Sequence, residues 1–189
     1  MAKRGPYAKG SAKREEILDR ALDVVERDGY TRISAREIAR ESGLSQAGLL
    51  HYFSTKEELF VEVVRRRDDA QQARFDPVDP IGGLVDAMRE NSASPGLVRM
   101  FVAVSVDSTD VQHPGHAYFA YRYARLRSLI AEAIRGQQSR GEFPADRDAD
   151  ATAVAFLALA DGLQIQWLLD PTIDMASRLS DVWDLVRRG

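Results

Sequence analysis

The sequence predicts an all-α fold, and three observations carry the prediction. Apolar residues recur at intervals of three and four through most of the 189 residues. No stretch of convincing length alternates apolar and polar residues as a half-buried strand does. Helix start and stop residues fall between the periodic segments at short intervals. With 44% hydrophobic residues there is enough apolar material for a real core, which excludes global disorder.

The elements follow in order. Ile17, Leu18, Ala21, Leu22 and Val25 form one face of a first helix, with Ser11 as its N-cap and Gly29 as its stop. A short second helix starts at Ser34, where Glu37 three residues on makes a capping box; Ile38 and Ala39 face inward and Gly43 ends it. Ser45 opens a third helix through Leu49, Leu50 and Tyr52. Thr55 and Glu58 form a second capping box before a longer helix with Leu59, Phe60, Val63 and Val64 inward. The segment Phe75–Pro80, FDPVDP, holds two prolines and is the best boundary or hinge. Five helices are predicted beyond it, near 80–92, 95–108, 115–140, 147–169 and 174–187. Pro95-Gly96 starts one of them and Pro114-Gly115 precedes another.

Composition narrows the function classes. No Cys removes disulfides, thiolate metal sites and cysteine nucleophiles together. There are only three His, no Gly-rich phosphate loop, no nucleophile elbow and no His-Glu-x-x-His, so an enzyme is not expected. His113 and His116 have a spacing that suits two imidazoles at one metal, but Pro114-Gly115 between them predicts a turn, and no metal is expected. No apolar run approaches the roughly 18–20 residues of a bilayer span, so no membrane partner is expected. The N-terminus has charges but no apolar stretch behind them, unlike a secretory signal.

The net charge of −3 is an average over unlike parts. Residues 1–14 carry five cations (Lys3, Arg4, Lys9, Lys13, Arg14) and no acid. Residues 1–75 sum to +2 and residues 76–189 to −5. A basic arm on a near-neutral N-terminal part, followed by an acidic remainder, suggests a division of labour. The run Arg65-Arg66-Arg67 reads as a solvated helix face.

Ser34–Phe53 has the dimensions of a helix-turn-helix, whose second helix lies in the DNA major groove. Gly43 suits a turn that needs positive φ, and Leu44 plugs the space between the helices. Near the start of the second helix, Gln46 can donate and accept at a base edge while Ala47 and Gly48 permit close approach. The Ser45 hydroxyl, His51, Tyr52 and Lys56 offer groups suited to phosphate oxygens.

The pattern Ile33-Ser34-x-x-x-Ile38-Ala39-x-x-Ser42-Gly43-Leu44-Ser45-x-x-x-Leu49-x-x-Tyr52-Phe53-x-x-Lys56-x-x-Leu59 resembles the DNA-binding domain of the TetR family of transcriptional regulators. The likeness covers about residues 13–65, and the all-helical remainder also fits. It implies a nine-helix subunit, with residues 1–56 as basic arm and helix-turn-helix, helix 55–75 as connector, and 76–189 as ligand-binding and dimerisation domain. It also implies that Arg36 reaches a base or phosphate, that Gln46, Ala47 and Gly48 read bases, and that His51, Tyr52 and Lys56 grip the backbone. Many members have Leu-Tyr where this chain has Leu49-Leu50, so one phosphate contact is missing; the basic arm, with Lys13 and Arg14, is the candidate replacement.

The resemblance further implies double-stranded operator DNA as partner, a homodimer through the last two helices, a small-molecule effector, no cofactor, and the cytoplasm of a bacterial cell as location. Ala151, Ala155, Ala158 and Gly162 are small residues at helical spacing, suited to close helix approach. The segment Asp161–Pro171, DGLQIQWLLDP, resembles the BetI-like members of the family. Phe101, Tyr118, Tyr121, Gln164 and Trp167 are the candidate lining of an effector cavity, an apolar wall with a few polar groups. An architectural protein without an effector would share the DNA half and differ by a collapsed core in the other.

Overall fold

The computed structural model describes residues 6–30, 33–72 and 79–188. The residues of the basic arm before Pro6 and the Phe75–Val78 part of the expected hinge lie outside them. The described residues form nine α-helices and no strand. They are α1 (Pro6–Asp28), α2 (Ala35–Glu41), α3 (Gln46–Leu50), α4 (Lys56–Gln72), α5 (Pro80–Asn91), α6 (Pro95–Asp107), α7 (His116–Ser139), α8 (Ala149–Leu169) and α9 (Met175–Arg188).

Helix ends are set by local chemistry. Ser34 Oγ accepts from the Glu37 N–H at 3.2 Å, and Ser45 Oγ from the Gly48 N–H at 3.0 Å. Thr55 Oγ1 accepts from the Glu58 N–H at 3.0 Å, but the Glu58 carboxylate returns to the Ser54 N–H, one residue earlier than a capping box requires. The Ser11 cap is corrected: α1 begins at Pro6, where proline's missing N–H removes no helical bond, so Ser11 lies inside the helix. Between α2 and α3, Gly43 has φ +66°. This left-handed residue lets the Leu44 N–H reach the Ala39 carbonyl at 2.8 Å and the Gly43 N–H the Arg40 carbonyl at 3.1 Å, a Schellman turn.

Two apolar cores share α6. The first gathers Ile17, Ala21 and Val25 of α1, Ile38 and Ala39 of α2, Leu49 of α3, Phe53, and the Leu59–Val64 face of α4. Leu97, Met100, Phe101 and Val104 of α6 and Phe119 of α7 close it. The second core lies among α5, α7, α8 and α9 and takes Val98 from the other side of α6. Gly96 allows this sharing, because a Cβ there would run into the Val25 carbonyl oxygen at the end of α1. The reader half is therefore wedged against α6 backbone to backbone.

The expectation that no apolar run approaches spanning length is corrected. By length and composition α8, with 21 residues, is long and apolar enough to cross a bilayer. Isolated acids such as Asp161 interrupt its apolar run without making the helix polar. Its Ala153, Phe156, Leu157, Ala160 and Leu163 are buried inside the bundle.

Gly43→Ala should destabilise the protein by about 1 kcal/mol, since an L side chain is strained at positive φ although no neighbour crowds it. Urea denaturation checks this; an unchanged midpoint would refute the conformational argument.

Candidate functional site

The helix-turn-helix exposes an edge of polar and small side chains. Arg36, Ser45, Gln46, Ala47 and His51 are exposed, and Gly48, Tyr52 and Lys56 are half-buried. Leu49 points the other way and is buried against Ile38 and Ala39, which orients the α3 start outward. Ser45 Oγ uses a lone pair on the Gly48 N–H, so its own O–H remains directed at whatever approaches. The His51 and Tyr52 rings meet edge to face at 5.7 Å, and Lys56 Nζ sits 5.2 Å over the Phe60 ring. Leu50, where a tyrosine is common, is 44% exposed beside them.

Lys13 and Arg14 need correction as members of a free basic arm. Lys13 Nζ donates to the Ser42 carbonyl at 2.8 Å, closing the α2 end, and to Glu16 at 2.9 Å. Arg14 donates to Glu62 at 3.1 Å and stacks over Phe53 at 4.6 Å. Both lie on α1 where it crosses α2 and α4, so their cations already have partners within the domain.

A cavity of about 190 Å³ lies between α4, α5, α6, α7 and α8. Its wall is mostly apolar, from Val64, Leu84, Met88, Leu97, Met100, Phe101, Leu126, Leu129 and Leu157. Of the expected lining, Phe101 and Gln164 face it. Tyr118 reaches it only through Asp68, to which its hydroxyl donates. Trp167 is buried further along α8, past the cavity, by a groove between α5 and α9. Tyr121 is corrected outright: it is 67% exposed, because its position on α7 turns it from both cores.

Polar groups that the sequence reading missed form the roof. The Arg65–Arg67 run is a solvated face only in part: Arg65 is exposed, while Arg67 turns to the cavity. Arg65 stacks over Tyr118 at 4.9 Å, and Arg66 pairs with Glu15 and with Asp19, the latter at 2.7 Å. Arg67 donates to Asn91 Oδ1 at 2.7 Å, and Asn91 donates to the buried Gln164 at 3.4 Å. Asp68 accepts from Arg122 at 2.5 and 3.3 Å. Arg66, Arg67 and Asp68, adjacent in sequence, thus tie α4 to α1, to α5 and to α7. The usable signals were a cation within an aromatic run (Arg122) and an acid within an apolar helix (Asp161).

Burial and fixed partners set the protonation states. Burial opposes the Arg122 charge, but Asp68 and the phenols of Tyr118 and Tyr123 hold the guanidinium more firmly protonated than usual. The Arg122 guanidinium also lies 4.9 Å from the Phe101 ring centre and 5.7 Å from that of Tyr123. Burial and the Asp68 carboxylate push the Tyr118 phenol far up, and burial and Asp161 do the same to Tyr123, so both are fixed donors. Burial raises the Asp161 carboxyl, against the Tyr123 hydroxyl that donates to it at 2.8 Å. Burial lowers Arg67, which has only a neutral amide as its hydrogen-bond partner among the described residues. At the α6–α7 turn the two imidazoles are occupied by scaffolding: His113 Nδ1 accepts from the Gly115 N–H at 3.1 Å, and His116 Nδ1 donates to the Ser108 carbonyl at 3.0 Å.

Comparison with known proteins decides the family. The profile of bacterial regulatory proteins of the tetR family matches residues 17–63. That of the C-terminal region of BetI-type transcriptional repressors matches residues 87–186, more than half of the chain. The chain belongs to the TetR family. Like its relatives, this TetR-family protein is a DNA-binding transcriptional regulator, a non-enzyme class. The transcriptional regulator BetI of Rhizobium meliloti is 29% identical over 163 residues, covering 82% of this chain and 77% of that protein. PksA of Bacillus subtilis is 27% identical, covering 84% and 80%. A transcriptional regulator from Saccharomonospora viridis, solved in complex with choline, is 30% identical with a TM-score of 0.67, covering 90% of this chain and 95% of that one. A Rhodococcus TetR-family regulator shares the fold at TM-score 0.69 and 23% identity, covering 94% and 99%.

Asp161 generates a pH prediction. Its carboxyl is raised in the fold, so folding favours the protonated form, and stability is lost as pH rises from the ordinary carboxylate range through the raised value. Asp161→Asn removes that loss while keeping an acceptor for Tyr123. The melting temperature of the variant relative to the wild type should climb as pH rises above the ordinary carboxylate range. A pH-independent difference would contradict the assignment.

Proposed function

We propose that this TetR-family protein is a repressor that leaves a pseudo-palindromic operator when a small organic molecule enters its cavity. The carrying observation is the shared roof: α4 carries both the Arg66 tie to α1 and the Arg67 and Asp68 groups lining the cavity. A ligand that displaced Arg67 or Asp68 would move the helix on which the reader is mounted. It shifts the population only by its differential affinity for the two arrangements. The open cavity favours this over an effector-free architectural role.

In this reading residues 1–56 form the DNA-binding part, α4 the connector and 76–189 the sensing and dimerisation part, in a bacterial cytoplasm. Gln46, Ala47 and Gly48 read base edges; Arg36, Ser45, His51, Tyr52 and Lys56 hold phosphates. The dimer is supported by α8 and α9. Besides its buried side, α8 exposes Ala151, Val154, Ala155, Ala158, Ile165 and Leu169, and α9 exposes Leu185. A helix apolar on both sides belongs between two layers, and a two-fold copy supplies the second.

Selection of bound sequences from random DNA at low salt tests the reading; failure to enrich any sequence would reject it. Gln46→Ala should relax choice at one position by about 1–3 kcal/mol. Lys56→Ala should weaken all sequences alike and reduce the salt slope by about 0.9. Equal losses from both on cognate and random DNA would contradict the division. Ile165→Glu should shift sedimentation from dimer to monomer with loss of tight operator binding, whereas an unaltered dimer would move the interface elsewhere.

A further inference from the structure

The cavity's charges are unequally satisfied. Its acids have partners: Asp68 holds Arg122, Asp161 receives the Tyr123 hydroxyl, Asp86 pairs with Arg89 at the rim, and Glu90 is not free. Its cations do not all have them. Arg122 is matched by Asp68, whereas Arg67 hydrogen-bonds only to the Asn91 amide oxygen, the Asp68, Glu26 and Glu90 carboxylates acting on it without a hydrogen bond, and half-buried Arg125 has no hydrogen-bond or ion-pair partner among the described residues. A guanidinium facing the cavity without a hydrogen-bonded carboxylate lacks the partner that its bidentate geometry suits.

The place that would suit an organic cation is already taken. Phe101, Tyr123 and Asp68 together offer two ring faces and a carboxylate, and the Arg122 guanidinium sits among them. A quaternary ammonium would have to displace a side chain bound through two nitrogens. An incoming carboxylate displaces nothing charged: it completes Arg67 and Arg125 while its apolar body lies along Leu84, Met88, Leu126 and Leu129.

We infer that the effector is an organic acid, an apolar body ending in a carboxylate that pairs with Arg67 and Arg125. This rests on the effector reading of the cavity given above. It differs in charge from the choline bound by the Saccharomonospora viridis relative. It also gives the ligand a lever, since a carboxylate that draws Arg67 from Asn91 loosens the α4–α5 tie.

The test uses the full chain, with sodium hexanoate through dodecanoate as probes, each beside its neutral primary amide, and choline as the contrasting cation. Calorimetry at neutral pH should show at least one carboxylate binding with a dissociation constant below about 1 mM, and its amide about tenfold weaker. Arg125→Gln, which removes a side chain without a partner, should erase the acid-over-amide preference while leaving the melting temperature unchanged. Arg67→Lys, which keeps charge but not the fork, should weaken the acid while leaving the affinity of its neutral amide unchanged. Choline binding without carboxylate binding, equal affinity for acid and amide, or no carboxylate binding would overturn the inference. None of these would touch the regulator reading, which stands or falls on the DNA selection.

Discussion

The Asp68 carboxylate is the constraint on which the rest of the sensor depends. It accepts from Arg122 and Tyr118 at a site from which water is largely withdrawn, and it lies on the helix that also supports the reader. An arginine on α7 among aromatic rings would be an uncompensated charge without it. With it, α4 and α7 are pinned at one height, Phe101 and Tyr123 have their cation, and the cavity has a polar roof above apolar walls. Arg66 and Arg67 on either turn of the same stretch extend the pinning to α1 and α5.

Such an arrangement suits a switch better than a rigid scaffold. Apolar contact along α4 is non-directional and tolerates small slides, whereas three consecutive directional ties tolerate few. A molecule entering the cavity meets those ties first. The close passage of Gly96 against the Val25 carbonyl then leaves α1 little freedom to absorb the change locally. A displacement at the roof therefore reaches the reader as a change of its placement on the bundle, the quantity that sets the spacing of paired recognition helices.

The acid balance of the C-terminal part takes on a local meaning. Much of its surface charge is paired within single helices, as in Arg178–Asp181 and Arg188–Asp184, and contributes little to stability. What distinguishes the interior is that both signs face inward: Arg67, Arg122 and Arg125 line the cavity beside Asp68, Asp86, Glu90 and Asp161. Net charge described repulsion at long range and said nothing of the cavity.

The sequence by itself determined the helices, their order and the shape of the reader. Caps, prolines and Gly43 act within four residues, so Ser34, Ser45 and Thr55 were legible as helix starts, and the fold needed no long-range information. The exposure of Ala47 at the start of α3 was legible for the same reason, because Leu49 inward turns the residue two positions earlier outward. The roles of Lys13, Arg14, Tyr121 and the Arg65–Arg67 run were decided only by tertiary structure. Each depends on which neighbour a helix face meets, and the partners lie far along the chain: Arg14 with Glu62, Asp68 with Arg122, Asn91 with Gln164. Helical spacing gives a residue's angle around its own axis; only packing decides whether that angle points at solvent, at a carboxylate or into a cavity.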